Sequence, residues 1–341
     1  MSQYLILNRL QVQNANCIAG FTWGFPAVTH FLGFTHNLHR KISDAFDVTL
    51  GGCAVICHDY NLHCYQPYQE RGDFEFIQSK NPPYLPEHNL EGNAPIIEEG
   101  RMNLTVSLII SLDKEFVGDD AKKAQFEDLV TEVCTFGRLA GGTILSIKSA
   151  QLSSARTDSE KQKFNSKLKR NLMPGFVLKD RSDVLEKHFH QLKLDNENVE
   201  LIDAWLDFSA LKYQAIPKLA KDEEILTEKT DAEWLRCNKP VSKGWLVPII
   251  AGYKAISPVY KPGQVSNARD ETVPSCFVES VHTVGEWMSL HRVTDINMAI
   301  WTYFVDEEWY LCKQKINKSQ DKIPATADVQ KLSFEVALQS I

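Results

Sequence analysis

Three histidines and a glycine-rich turn are the residues of this chain whose spacing could do chemistry. His36 and His39 stand three apart, with His30 before them and Arg40 adjoining. Imidazole titrates near neutral pH and can serve as general acid or base. A metal reading needs a third and fourth ligand, and no ligand pair at a recognised spacing accompanies these histidines. The plainer reading is a polar helix face. The turn GRLAGG, Gly137 to Gly142, is the second candidate. Glycines such as Gly141 and Gly142 let backbone approach a phosphate closely, and Arg138 could pair with it. The same residues also suit a helix C-cap followed by a tight turn. The turn matches neither GxxxxGK(S/T) nor GxGxxG, so no nucleotide cofactor is implied, and none is expected.

A third candidate is QVQNANCIAGFTWGFP, residues 11 to 26. Asn14 and Asn16 could read base edges, and Trp23 could stack on a base. Equally, this is a strand-to-helix loop whose Trp23 closes a core. No serine-elbow, HExxH or kinase signature appears. Paired acids such as Glu98-Glu99 and Glu307-Glu308 read as solvated faces.

The elements that must position these residues follow an order. Tyr4 to Val12 reads as a strand. Pro26 to Ile42 reads as a helix with Val28, Phe31, Leu32, Leu38 and Ile42 as its apolar stripe and Pro26 at its first position. Val48 to Cys57 is strand-like, with a bulge expected at Gly51-Gly52. Leu104 to Leu112 is a β-branched strand. Asp119 to Phe136 is a helix with Phe126, Leu129, Val130 and Val133 on one side. Thr143 to Ile147 is a last strand. The order β-α-β-β-α-β predicts an α+β fold with an RRM/ferredoxin-like core over residues 1–150. A proline-rich insertion at about 65–99 (Tyr65 to Glu99) reads as an extended arm or hairpin.

Residues 151–341 read as a helical and largely irregular C-terminal half packed on that core. Helices are expected over Ser159 to Leu172, Arg181 to Leu192, Val199 to Ala210 and Val293 to Phe304. Ile216 to Asp231 reads as an exposed connection, and the tail after Ile316 is polar. Gly244 to Arg292 holds neither the helical nor the strand period for long. Loops of such length in compact domains are usually functional. Trp245 and Trp287 within it are expected in the core.

Composition bounds the possibilities. The chain has 341 residues, 43% hydrophobic and 24% charged, which is the range of globular proteins. It holds no apolar run long enough to span a membrane. Its N-terminus lacks a basic leader, so a cytoplasmic protein is expected. The eight cysteines form no CxxC pair, and a disulfide framework is not expected. A net charge of −7 argues against indiscriminate nucleic-acid binding but leaves room for a local basic groove. One candidate is KQKFNSKLKR, with Lys161, Lys163, Lys167, Lys169 and Arg170 and no acid.

Several segments together carry a family resemblance. They are RLQVQNANC (9–17), TWGFP (22–26), FLGFTHNLHR (31–40), EEGRMNLTVSLII (98–110), GRLAGG (137–142) and LMPGF (172–176). They continue with GWLVPIIAGYKAISPVY (244–260), NARD (267–270), FVE (277–279) and GEWMSLHRV (285–293). In this order they resemble the 5′-handle-capping subunits of the type I-F CRISPR surveillance complex, the Csy complex, which belong to the RAMP superfamily. The resemblance implies an RRM-like core with a thumb-like insertion, for which Tyr65 to Glu99 is the candidate. It implies a protein that does not cut RNA. Such a subunit holds the 5′ handle of a guide RNA, pairs with the large subunit, abuts the adjacent backbone subunit, and meets target DNA near its PAM-proximal end only indirectly.

The residues this implies for RNA contact are Asn14, Asn16 and Trp23 at the handle, and His36 and Arg40 near phosphates. Arg138, Gly141 and Gly142 would form a phosphate turn. Tyr253, Asn267, Arg269, His291 and Arg292 come from the long stretch. A single-stranded end is read by stacking and base-edge contacts, which suits a chain without a dense lysine field. Two readings compete with it. One is a guide-processing endoribonuclease of the same superfamily, motivated by His36 and His39. The other is a structural adaptor with no RNA contact of its own.

Overall fold

The computed structural model describes residues 2–68, 74–80, 96–155, 157–218, 231–241, 244–268 and 270–314. Strand β1 (Ser2–Asn16) opens the chain. Its side chains alternate between two covered faces: Leu5 and Leu7 turn one way, Tyr4 and Ile6 the other. Helix α1 (Val28–Ile42) buries Val28, Phe31, Leu32, Phe34, Leu38 and Ile42, the stripe expected from its periodicity. Pro26 does not start it. Ala27 is the N-cap, and Pro26 stands one residue before that. Strand β2 (Thr49–Leu62) follows, then β3 (Arg101–Lys114) and helix α2 (Asp120–Thr135). The Asp119 carboxylate caps α2 by accepting the Lys122 N–H at 2.8 Å. Two short strands, β4 (Arg138–Leu139) and β5 (Gly142–Ser146), complete the order read from the sequence.

Strand β6 (Ser149–Ala155) is an addition, because its small polar residues carry little strand signal. It continues along the edge of β1 where β5 leaves off, with Asn8 opposite Ser149 and Ser2 opposite Ala155. The first half of the sheet runs β5-β1-β3-β2, every pair antiparallel. Helix α1 packs on β2, α2 on β6, and the helices on each other. The bulge expected at Gly51-Gly52 is present, where the β2–β3 register shifts between Leu50 and Cys53. A Cβ on Gly52 would collide with the Trp301 carbonyl oxygen.

Helix α3 (Asp158–Leu172) covers one end of the opposite sheet face. A capping box between Thr157 and Glu160 starts it. Phe164, Leu168 and Leu172 pack with Tyr4, Ile56 and Ile109, and Phe164 stacks on Tyr4 with ring centroids 4.9 Å apart.

The C-terminal half is not largely irregular. It supplies β7 (Phe176–Asp180), β8 (Leu246–Ala255), β9 (Val278–Ser289), β10 (Trp301–Asp306) and β11 (Trp309–Gln314) to the same eleven-stranded sheet. The strand order continues β2-β7-β9-β8-β11-β10, and β10 returns to β2 through Trp301 opposite Cys53. So the stretch Gly244 to Arg292 is two long strands joined by a loop. Its Gly252 reads as a break but answers a close approach: a Cβ there would collide with the Tyr310 carbonyl oxygen. The helix expected over Val293 to Phe304 is instead a 3-10 turn (Ile296–Ala299) followed by β10. Pairing with β2 and β11 overrides the local pattern.

The helices expected near 181–210 are α4 (Ser182–Asp195) and α5 (Leu201–Ser209). Tyr213–Pro217 pairs with Ala232–Arg236 as an exposed ribbon, which overlaps the connection expected over Ile216 to Asp231 only at residues 216–217; residues 219–230 lie outside the described residues. In the insertion, Cys64–Tyr65 pairs with Glu75–Phe76, and Gln78–Lys80 with Ile96–Glu98. Its proline-rich part, 81–95, and the tail from 315 lie outside the described residues.

The chain forms two compact units. Among the described residues, the first comprises 2–179, 249–282 and 288–314, and the second 180–248 and 283–287. The second has its own core of Val184, Leu185, Phe189, Trp205, Phe208 and Val284. Trp287 is buried there as expected, whereas Trp245 is 49% exposed. In the first unit Trp301 is fully buried, and its indole N–H donates to the Leu178 carbonyl at 3.1 Å. The Gln314 amide also donates to that carbonyl, at 2.9 Å, so truncating the tryptophan leaves a cavity rather than an orphaned acceptor. Trp301→Ala is expected to cost about 3–5 kcal/mol. In urea unfolding the midpoint should fall with an unchanged slope.

Candidate nucleic-acid interface

Strand β1 holds two residues in the left-handed region, Arg9 (φ 49°) and Asn14 (φ 57°). Each sits where the β1–β3 register slips, between Leu7 and Leu10 and between Val12 and Ala15. A bulge leaves a backbone N–H without its ladder partner. Side chains of β3 supply both acceptors. The Arg9 N–H donates to Ser107 Oγ at 2.8 Å, and the Asn14 N–H to Asn103 Oδ1 at 3.1 Å.

The second bulge adjoins the β4–β5 hairpin. Leu139 faces Gly142 across a two-residue turn, Ala140-Gly141, with φ of +50° and +76°. Two left-handed residues in succession match a type I′ turn, whose twist suits a tight hairpin. The Ala140 carbonyl accepts the Asn16 N–H at 2.8 Å, which ties the turn to β1. A Cβ on Gly142 would stand 2.5 Å from the Gln13 carbonyl oxygen and 2.7 Å from the Ala15 nitrogen. Arg138 lies over the turn and donates to the Gly141 carbonyl at 2.5 Å. The fold thus gathers Asn14, Asn16, Arg138, Gly141 and Gly142 at one edge. Their availability differs. The Asn16 amide is used locally, accepting from the Ile18 N–H at 3.1 Å and donating to the Ile18 carbonyl at 3.2 Å. Asn14 is exposed.

The remaining sequence candidates are spread over the surface. Trp23 stacks on Phe76 with centroids 3.4 Å apart, so one indole face is covered. His36 and Arg40 are exposed one turn apart on α1, while His39 Nδ1 accepts the Leu50 N–H at 3.5 Å. The Tyr253 hydroxyl lies 3.4 Å from that of Thr29. Asn267 is exposed in a left-handed turn (φ 59°). His291 and Arg292 are exposed just after β9, with the His291 ring 2.7 Å from Ser289 Oγ. Arg269 lies outside the described residues.

Sequence reasoning missed the face beside this edge. Gln11 and Gln13 are exposed around buried Val12, Thr143 and Leu145 around buried Ile144, and half-buried Asn103 and Thr105 flank buried Leu104. Gln11 stands opposite Thr105, and Gln13 opposite Thr143, so these side chains share one face. Gln11, Gln13, Asn103 and Thr105 line an open cleft of about 210 Å³ together with Asp59 and Asn61. Amides and hydroxyls in such a row donate and accept, as base edges require. The signal was the alternation in QVQ, NLT and TIL.

His58 closes the other end of this face. Its Nδ1 lies 2.7 Å from the Pro174 carbonyl, which only accepts, so Nδ1 carries the proton. Nε2 therefore accepts from the Ser107 hydroxyl at 2.7 Å, and Ser107 accepts from Arg9. Burial holds the His58 pKa below its ordinary value, the Pro174 hydrogen bond opposes this, and the Arg9 charge adds to it. Among the described residues, no three His, Cys, Asp or Glu side chains come together as a metal ligand set. All eight cysteines are free thiols, and burial pushes Cys53, Cys57, Cys134 and Cys312 up to about 12.

Fold and face together define a mixed α/β protein built on one large antiparallel sheet, with an open row of hydrogen-bonding side chains. Residues 5–312 match the family described as CRISPR-associated protein (Cas_Csy2). The chain is 36% identical over 314 residues to the CRISPR-associated protein Csy2 of Pseudomonas aeruginosa (strain UCBPP-PA14), covering 89% of this chain and 92% of that one. It belongs to the Csy2 family of CRISPR-associated proteins.

Two outcomes follow from the geometry. Ala140→Gly relieves a left-handed alanine and is expected to raise stability by about 1 kcal/mol in thermal or urea unfolding. His30, His58 and His282 all have pKa values lowered chiefly by burial. A lowered histidine binds fewer protons folded than unfolded, so its stabilisation is complete above about pH 6.5 and is lost as pH falls through the folded value. Unfolding midpoints measured between about pH 7 and 5 should fall, and His58→Gln should flatten that fall.

Proposed function

We propose that this chain is the non-catalytic subunit of a type I-F Csy complex that binds and caps the 5′ handle of the guide RNA. It would act in the cytoplasm, pairing there with the large subunit and abutting the adjacent backbone subunit. Target DNA near the PAM-proximal end would be met only indirectly. Membership of the Csy2 family supports the complex. The observation that carries RNA recognition is the open face of neutral donors and acceptors (Gln11, Gln13, Asn103, Thr105) ending at exposed Asn14 and Arg138. Neutral amides discriminate base edges, whereas cations mainly attract phosphates. The strand order β5-β1-β3-β2 with α1 and α2 in the connections supports an RRM/ferredoxin-like reading of this part. The paired ends of the insertion at 65–99 support a thumb-like arm.

The test compares handle RNA with a scrambled RNA of equal length, using the full chain with its partner subunits. Gln13→Ala with Asn103→Ala should weaken handle binding by about 10-fold or more, and scrambled RNA far less. Equal losses for both RNAs would remove the base-reading claim. Incubation with a repeat-containing transcript should leave it intact. Site-specific cleavage abolished by His36→Ala would overturn the non-catalytic reading.

A further inference from the structure

Helix α3 carries Lys161, Lys163, Lys167, Lys169 and Arg170, and its acids, Asp158 and Glu160, both lie in the first turn. At 100° per residue, Lys163, Lys167 and Arg170 fall within about 60° of one another. Phe164, Leu168 and Leu172 are buried beneath the helix, so its apolar side is held against the sheet and the three cations are exposed. The three cations are placed along about 10 Å of helix axis, the length of roughly three nucleotide steps of a stacked strand. None of the three forms an ion pair with a described residue. A solubilising face in a chain of charge −7 has no need to segregate cations this way. Helix-dipole complementation accounts for basic residues only in the last turn, and Lys163 lies well before it.

The surface beside the flank mixes neutral polar groups with the apolar Ile6, Leu152, Phe164, Leu168 and Leu172. Lys167 and Asn171 line a cleft with Asn8, Gln151 and Ser153 of β1 and β6. Among the described residues, the Asn8 Oδ1 atom, buried there, has no hydrogen-bond partner. Lys167 also lines the neighbouring cleft, beside Glu115, Asp119, Asp120 and Lys123. Past Arg170, Arg9 donates to the Met173 carbonyl at 3.3 Å, which places a further guanidinium there.

We propose that this flank of α3 is a second nucleic-acid site, one that grips the phosphodiester backbone of a strand and reads no bases. Lys163, Lys167 and Arg170 neutralise successive phosphates, while Gln151, Ser153 and Asn171 hydrogen-bond to phosphate or sugar oxygens. The strand is either guide RNA or target DNA, which share this chemistry. The site stands apart from the Asn14–Arg138 edge and does not depend on the handle reading.

The probes are a random-sequence DNA duplex of about 30 base pairs and a polyuridine RNA of about 30 nucleotides, several site sizes long. Each is titrated against the full chain between about 50 and 200 mM salt. The triple variant K163Q/K167Q/R170Q should lose about 10-fold or more in affinity for at least one probe at low salt. Its log–log salt slope should flatten by about 2 for RNA or 3 for the duplex, the loss of three phosphate contacts. Loss on the duplex assigns the site to DNA, and loss on polyuridine assigns it to RNA. The charge-keeping variant K163R/K167R/R170K should bind like the parent. The preference for handle over scrambled RNA should be unchanged in both variants, so the two readings fail separately. Parent-like affinity and slope for both probes in the glutamine variant would overturn the proposal. So would equal losses in both triples.

Discussion

Strand β1 must satisfy its backbone twice where it breaks step with β3. A bulge frees an N–H, and at half-buried Arg9, unlike exposed Asn14, leaving it without an acceptor costs about as much as a lost hydrogen bond. Ser107 and Asn103 supply those acceptors at Arg9 and Asn14. Much of the rest hangs on this repair. The first bulge brings Ser107, His58 and the Pro174 carbonyl into one chain of hydrogen bonds, which anchors the turn leading into β7. The second lets the β4–β5 hairpin dock, because Asn16 is then free to bind the Ala140 carbonyl and Gly142 can press against Gln13 and Ala15.

The same strand divides one sheet face into two zones. Toward its start, Tyr4, Ile6, Ile56 and Ile109 are apolar and lie under α3. Past the first bulge, Gln11, Gln13, Asn103 and Thr105 are polar and open. The change from apolar to polar, not a change of backbone, decides where the helix stops covering the sheet. Recognition chemistry divides accordingly. The open zone offers neutral donors and acceptors suited to base edges, and the outer flank of α3 offers cations suited to phosphates. A chain with a net charge of −7 can hold both because α3 gathers five cations and confines its acids to the first turn.

Several elements were legible because local signals and packing agree. The stripe of α1, the Gly51-Gly52 bulge and the β-branched run of β3 each read correctly. Asp119 marked the start of α2, although Cys134 takes the buried place that Val133 was expected to share. The failures have a common cause. In β8, Pro248 and Gly252 look like breakers, yet Gly252 admits the backbone of Tyr310. In β10 a helical pattern yields to pairing with β2 and β11. Strand pairing is non-local, so its signal lies in a partner many residues away. The candidate site was half legible for the same reason. GRLAGG was visible as turn chemistry, and the two asparagines as candidate base readers. Gln11, Gln13, Asn103 and Thr105 were not, because only the strand register puts them on one face.

Residue order alone determined the β-α-β-β-α-β succession, the basic run of α3 and the family, since these rest on periodicity, composition and motif order. Tertiary structure decided which polar residues meet, that Arg138 folds over its own turn, that the Asn16 amide is spent on Ile18, and that the C-terminal half joins the sheet. Each of those depends on a hydrogen bond or close contact between distant segments or on a backbone angle, and such distances and angles exist only once the chain has closed on itself.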